Sequence, residues 1–325
     1  MVNLPTASRL IPSTQSPPFI LPVPLVVVVF FFLYTLTAGN GARAQDLEPR
    51  AFSPAPVGIN FGLLSYGYAD GNVFFDQSLP VEDAVGKLHS VTAGYVRTLD
   101  FFGATAKVAA IVPYVWGDYE GLWLGEPASA SRRGLGDPVV SLAVNFVGAP
   151  ARTLQELGTY REATIIGASV LAVVPIGQYD PERLINLGSN RWAYRARLGA
   201  SRRLSRWHFE LMGELWAFTK NPEAAGGNSI TQDPILAVQV NTIYKFKRGL
   251  WLGAGLGYGE GGQTTVSGVE KDTSQINKRF GLTLVYPLDE RNSLKLTYLN
   301  SLSTVIGADF DKVGLAWQYR WGGSL

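Results

Sequence analysis

The chain has no cysteine, which excludes disulfides, thiolate-bound metal and a lipidated N-terminal cysteine. Its two histidines, His89 and His208, lie far apart on separate segments and lack the spacing of a ligand pair. Charged residues make up 17%, below the ~25% typical of soluble domains. Yet no window stays apolar for the ~20 residues that a membrane helix needs. Low charge without such a window means that the apolar residues are dispersed.

How they are dispersed is informative. In Asn190–Ala200, Trp192, Tyr194, Ala196, Leu198 and Ala200 fall on one parity, and Arg191, Ala193, Arg195, Arg197 and Gly199 on the other. A strand sends successive side chains to opposite faces, so this segment separates an oily side from a polar one. The same alternation predicts strands at Val57–Tyr66, Lys87–Thr98, Ala104–Trp116, Asp137–Val147, Glu162–Pro175 and Asn190–Arg203. It continues at Trp207–Thr219, Pro234–Phe246, Leu250–Gly259, Ile276–Tyr286, Ser293–Ser301 and Lys312–Trp321. Most reach the ~9–11 residues with which a tilted strand crosses a bilayer.

The connections alternate in length. Leu99–Gly103, Leu204–Arg206, Lys247–Gly249 and Pro287–Asn292 are short, whereas Gly67–Gly86, Gly117–Gly136, Ile176–Ser189, Lys220–Asp233, Glu260–Gln275 and Leu302–Asp311 are long. Only Gly148–Arg161 breaks the rule. Bacterial outer-membrane barrels have an even number of antiparallel strands, short periplasmic turns and long outer loops. The pattern therefore predicts an all-β fold: a transmembrane, antiparallel, up-and-down β-barrel of about twelve strands with both termini periplasmic. Aromatics near the strand ends, among them Tyr66, Tyr95, Tyr114, Trp116, Trp207, Tyr244, Trp251, Tyr286, Trp317, Tyr319 and Trp321, fit the girdles that amphipathic rings form at headgroup level.

The first 44 residues differ from the rest. Leu25–Leu36 is a continuous apolar run, and Ala42-Arg43-Ala44 supplies the small-x-small pattern of a signal-peptidase site. The expected organisation is a cleaved signal peptide (1–44), a periplasmic N-terminal segment (45–56), a barrel (57–321) and a short tail (322–325). Removing the signal deletes Arg9 and Arg43 and no acid, which brings Lys+Arg down from 28 to parity with the 26 acids. A neutral mature chain argues against nucleic-acid binding.

Three ordered motifs carry a resemblance. Gly134-Leu135-Gly136-Asp137-Pro138 is the first. Pro175-Ile176-Gly177-Gln178-Tyr179-Asp180 with Leu187-Gly188-Ser189-Asn190-Arg191-Trp192 is the second, and Tyr286-Pro287-Leu288-Asp289 through to Gly307-Ala308-Asp309-Phe310 is the third. Together they resemble the transporter-like family named for a MetA pathway of phenol degradation. The resemblance implies an outer-membrane barrel of a Gram-negative bacterium, in a family linked by name to aromatic compounds. Gly134, Gly136, Asp137, Gly177, Tyr179, Asp180, Asn190, Trp192 and Asp309 are the motif residues.

Candidate lumen residues come from the alternation. Arg191, Arg195 and Arg197 share one strand face; His208, Glu210 and Glu214 share a face of the next strand, across a tight turn that makes the two antiparallel neighbours. Lys107 and Arg279 are expected in the same lumen. Two readings stay open: a charged pore wall that tunes what passes, or a salt-bridge network that stiffens the interior. His208 with Glu210 lacks any nucleophile motif, so no catalysis, cofactor or metal is expected. Gly253, Gly255, Gly257 and Gly259 superficially resemble a phosphate loop, but their period of two suits one cleared strand face instead. The expected partners are outer-membrane lipid, the outer-membrane insertion machinery and a small solute, with no nucleic acid. Two functions compete. One is a passive uptake channel for small compounds, aromatic or hydrophobic ones included; the other is a non-conducting structural or adhesive barrel.

Overall fold

The computed structural model describes residues 47–72, 81–162, 164–304 and 309–323. The expected signal peptide and Gly307-Ala308 of the third motif lie outside these residues. In chain order the strands begin with β1 (Ile59–Asn72), β2 (Val81–Phe101), β3 (Ala104–Trp123), β4 (Glu126–Leu135), β5 (Val139–Pro150) and β6 (Thr164–Val173). Next come β7 (Ala193–Leu204), β8 (Trp207–Phe218), β9 (Asn221–Ala224), β10 (Asn228–Gln232), β11 (Ile235–Lys247) and β12 (Leu250–Gly261). The last are β13 (Thr264–Val266), β14 (Val269–Glu270), β15 (Gln275–Pro287), β16 (Asn292–Thr304) and β17 (Asp309–Gly322). Each of the twelve expected strands is among them. The wall strands pair antiparallel with their neighbours, and β17 returns to pair with β1 from Ile59↔Gly322 to Asn72↔Asp309. The result is a closed barrel of 12 strands, which leaves no edge to shield.

β4 and β5 occupy one place in the ring in succession. β4 pairs with Tyr114–Trp123 of β3 and β5 with Ala104–Ile111, the break falling at 136–138. The sequence reading placed a long loop at Gly117–Gly136, where the structure has the tip of a hairpin. Apart from Tyr119 and the Leu122-Trp123-Leu124 tip, residues 117–134 are polar or small, so the hydrophobic alternation is interrupted while the hydrogen-bond ladder continues. β2 and β3 reach 21 and 20 residues for the same reason, about twice a membrane crossing. Two other long loops also carry structure, since β9, β10, β13 and β14 form a separate four-stranded sheet.

The other end is made of tight turns. Between β2 and β3, Phe102 and Gly103 both take positive φ, 52° and 83°, the conformation of a two-residue hairpin that follows the strand twist. The exceptional connection after β5 contains α1 (Leu154–Thr159), closed by a capping box between Thr153 and Glu156. That helix explains its length.

The outward face is aliphatic through the middle of the wall, with Val112, Val170, Leu198, Leu211, Val240 and Leu256 exposed. Tyr66, Tyr95, Tyr114, Trp192, Trp207, Tyr286, Trp317 and Trp321 stand exposed nearer the strand ends. An apolar surface that encircles the molecule exceeds anything a soluble monomer exposes and matches a hydrocarbon layer. Trp251 corrects one expectation. Its parity on β12 points it inward, where it is buried with Ile243 and Val285 and takes no part in the girdle.

Candidate functional site: the barrel interior and its occupant

The inward face of each strand meets something the alternation could not reveal. Residues 48–56, which precede β1, are all buried, and their contacts are with inward-facing side chains of the wall. The sequence reading placed this segment in the periplasm; the structure threads it through the barrel.

Its path can be followed by its partners. At the short-turn end, Gly58 N–H donates to Thr98 O at 3.0 Å and Asn145 Nδ2 donates to Phe52 O at 2.9 Å. Lys107 Nζ donates to Ala51 O at 3.2 Å. Arg50 N–H donates to Glu210 Oε2 at 2.8 Å, and the same oxygen accepts from Asn241 Nδ2 at 3.1 Å. Glu48 then reaches the two arginines of β7. These hydrogen bonds, with a turn in which Ser53 N–H donates to Arg50 O at 3.1 Å, satisfy a buried chain that has no strand partner of its own.

Shape complements the polar contacts. A Cβ added at Gly199 would lie 2.5 Å from the Phe52 ring. At Gly257 or Gly281 it would lie 2.9 Å from the Leu47 side chain. The glycines that alternate along β12 therefore clear a seat for Leu47 and Pro49.

β7 and β8 form a hairpin with Arg195, Arg197, His208, Glu210 and Glu214 on its inward face. β7 and β8 pair with Arg197 opposite Glu214, Arg195 opposite Trp216 and Ser201 opposite Glu210. Arg197 donates from Nε to Glu214 Oε1 at 2.8 Å, and its Nη2 lies 2.7 Å from the same oxygen. Its third nitrogen, Nη1, bonds Glu48. Arg195 lies 3.8 Å from both Glu48 and Glu214, with its guanidinium 5.5 Å from the Trp216 ring centroid. Lys107, His208 and Arg279 are also buried and inward. Arg191, just before β7, stacks its guanidinium 4.7 Å from the Phe218 ring and donates to Gln232.

His208 sits near the short-turn end, with Nε2 3.5 Å from Glu162 Oε2. Burial acts to raise the Glu162 pKa, but the hydrogen bond from His208 and the positive charge of Arg50 prevail and hold it down to about 2. Among the described residues no serine or threonine hydroxyl is hydrogen-bonded to either ring nitrogen of His208. Histidine and carboxylate here form a hydrogen-bonded pair in the field of the Arg50 guanidinium.

The family-motif residues gather elsewhere, at the long-loop end. Asp137 is fully buried between β4 and β5. Its Oδ1 accepts from Gly177 N–H at 2.9 Å, and its Oδ2 accepts from Ser189 N–H at 2.8 Å and Ser189 Oγ at 2.6 Å. Gly134 has φ of 152°, and a Cβ at Gly177 would press on the Gly136–Asp137 backbone. The Tyr179 hydroxyl donates to Glu223 O at 2.8 Å and accepts from Asn221 Nδ2 at 2.9 Å; Asn190 Nδ2 donates to Asn221 Oδ1 at 3.0 Å. Asp180 pairs with Arg183 at 2.8 Å. These groups clamp the loop after β6 to the wall. Trp192 instead faces outward, stacked on Tyr194, and Asp309 lies exposed at the rim opposite Asn72.

A family model described as "Putative MetA-pathway of phenol degradation" matches residues 67–304. The chain belongs to this family. It is an outer-membrane barrel, in accord with its apolar girdle and its architecture. Among solved structures, an outer membrane channel from Pseudomonas putida F1 is similar over 85% of this chain and 100% of that one, with a TM-score of 0.72 and 19% identity. The β domain of the Bordetella autotransporter BrkA follows at a TM-score of 0.48 and 13% identity, covering 82% of this chain and 100% of that one. No curated protein sequence matches the chain.

The functional residues that sequence reasoning missed are Glu48, Arg50 and Phe52. Their segment has no alternation and holds Pro49, Pro54 and Pro56, so it reads as a linker. The one signal in the sequence was the row of inward glycines on β12, which implied space without saying what fills it.

Proposed function

We propose that this protein is a passive channel for small solutes across the outer membrane, closed at rest by residues 47–56. The observation that carries this reading is the bore itself. Small barrels that serve only as scaffolds fill the interior with their own side chains. This wall instead withdraws its side chains at Gly199, Gly255, Gly257 and Gly281 and admits a peptide. A passage that accommodates a segment of polypeptide accommodates a small organic molecule once that segment moves aside. The short turns face the periplasm in this reading, as in other barrels of the class, so the occupant enters from the periplasmic side.

An apolar sector supports hydrophobic and aromatic solutes. Ile111, Leu171, Val173, Trp216 and Ile235 form one inward cluster with Ala55 of the occupant. The similar Pseudomonas putida protein is described as an outer membrane channel, which agrees with this reading. The experiment is planar-bilayer conductance and liposome swelling with the mature chain and with a variant lacking residues 45–56. The intact chain is expected to conduct weakly or intermittently, and the truncated one to hold a larger, steady conductance. A correctly folded truncated barrel that passes no ion or solute would instead make this a structural or adhesive barrel.

A further inference from the structure

The occupant of the bore suggests what the bore is built to hold. Leu47 lies over the glycine floor of β12 and β15, and Glu48, next in the chain, lies against Arg195 and Arg197 of β7. An apolar group and one carboxylate thus sit side by side in the passage. We propose that Arg195, Arg197 and Trp216 form a binding subsite for the carboxylate of an amphiphilic monoanion, with an aromatic or aliphatic body, and that Glu48 is its internal stand-in. This rests on the channel reading and names the solute class that such a channel would take.

Three observations carry it. The first is the built character of the site. Both guanidinium groups are buried, with side chains 1% and 0% exposed, and the fork of Arg197 spans Glu214 of the wall and Glu48 of the occupant. Glu214 belongs to the wall and orients the arginine; Glu48 is carried on a segment without any strand pairing. Planar guanidinium forks match carboxylates in this manner. The second is the neighbour. Trp216, fully buried, presents its ring to Arg195 and belongs to the inward apolar cluster with Leu171, Val173 and Ile235. A carboxylate on the arginines therefore has an apolar wall beside it for the rest of the molecule.

The third is the charge of the wall. Among the described residues, the buried charged side chains on barrel strands, histidine apart, are Lys107, Arg195, Arg197, Arg279, Lys295 and Lys312 against Glu210 and Glu214. Both carboxylates lie on β8. The strands β15, β16 and β17 contribute Arg279, Lys295 and Lys312 and no buried carboxylate. When the occupant withdraws it takes Glu48 and Arg50 with it, one charge of each sign, and the cationic excess of the wall remains. A bore charged this way attracts anions and repels cations.

The test uses mature protein in detergent and in bilayers, with folding checked by heat-modifiable mobility. Benzoate, benzyl alcohol and benzylamine share a ring and differ in charge. Isothermal titration is expected to show benzoate binding to Glu48→Gln about tenfold or more tighter than to the unaltered chain, because an internal competitor has been weakened. Benzyl alcohol and benzylamine should show no such gain. Arg195→Gln is expected to abolish that binding. Trp216→Leu, which keeps both arginines, should weaken benzoate more than acetate. Reversal potentials in a KCl gradient should favour chloride by about threefold or more, since one excess charge within about 7 Å of an ion changes its partition by that order. Equal binding of benzoate and benzyl alcohol, benzoate binding that survives Arg195→Gln in a folded barrel, or cation selectivity would overturn the proposal. The titration needs no conduction, so a barrel that binds benzoate without passing it would refute the channel reading and leave the subsite standing.

Discussion

The Glu48 carboxylate and the Arg197 guanidinium, 149 positions apart in the chain, form one ion pair inside the barrel. It joins the segment that fills the bore to the strand hairpin that lines it. Both partners are buried, so the pair is worth little as a source of net stability but costs heavily when one member is removed.

That asymmetry sets the first prediction. Glu48→Ala should leave the strand ladder intact and release the segment before β1. Breaking a buried pair by removing one partner costs about 3–5 kcal/mol, enough to shift a local closed–open equilibrium by two orders of magnitude or more. Hydrogen exchange at residues 48–56 should become fast while β7 and β8 stay protected. Unchanged protection of the segment would mean that the ion pair does not hold it.

The second concerns shape alone. In Gly199→Val the new side chain meets the Phe52 ring and the flexible Met212 side chain of β8, since a Cβ alone would already lie 2.5 Å and 2.7 Å from them. The outward face of β7 is untouched, so the barrel should assemble normally and conduct more. Phe52→Ala should act in the same direction by leaving a void, a change that costs about 3–5 kcal/mol in a packed core. Single-channel recording of the two variants provides the check, and matching gains in open time are expected.

Asp137 supplies the third. Its two oxygens accept from Gly177 N–H, Ser189 N–H and Ser189 Oγ. Asp137→Asn replaces one accepting oxygen with an amide that can only donate, so it faces another donor, and each orphaned buried group costs about 1–3 kcal/mol. The expectation is a folded barrel whose 176–190 loop is cut readily by protease. Resistance equal to that of the unaltered chain would show that the clamp is held by other contacts.

The fourth is a pH effect. Glu162 has its pKa held down to about 2 against a usual 4.5, with His208 and Arg50 as the groups that outweigh burial. A carboxylate depressed in the folded state stabilises above its unfolded pKa, and that contribution disappears as pH falls from about 4.5 towards 2. A shift of this size corresponds to about 3 kcal/mol at neutral pH. Denaturant midpoints should therefore fall over that acid interval, and Glu162→Gln should flatten the fall. An identical acid limb in the variant would assign the effect to other groups.

The barrel was legible in the sequence because its signal is local. Arg195 and Leu198 declare opposite faces within a few positions, and alternate turns such as Leu204–Arg206 fix strand direction. The charged hairpin was legible for the same reason, since Arg197 and Glu214 follow from one turn and one parity. Trp251 was misassigned because composition suggested a girdle while its parity on β12 pointed inward. The bore's occupant was out of reach. Its contacts join Glu48 to Arg197 and Arg50 to Glu210, and no periodicity encodes a pairing between a proline-rich stretch and a strand so distant. The β3–β4 hairpin was missed because the glycines, serines and charges of 117–134 interrupt the alternation on either side of its Leu122-Trp123-Leu124 tip.

The seam of the ring has one more consequence. β1 pairs with β17, and Gly58 is bonded on both sides, to Thr98 O through its own N–H and to Gly323 N–H through its carbonyl. The segment that fills the bore is therefore moored to the wall at the short-turn rim, and its described residues reach inward as far as Leu47. Because β1 follows it directly in the chain, the segment can be drawn out through that rim once its interior bonds release, and it cannot leave the rim where β1 begins. The device has a direction, like a stopper on a chain: whatever frees it must push from the long-loop side or pull from the rim where it is tied.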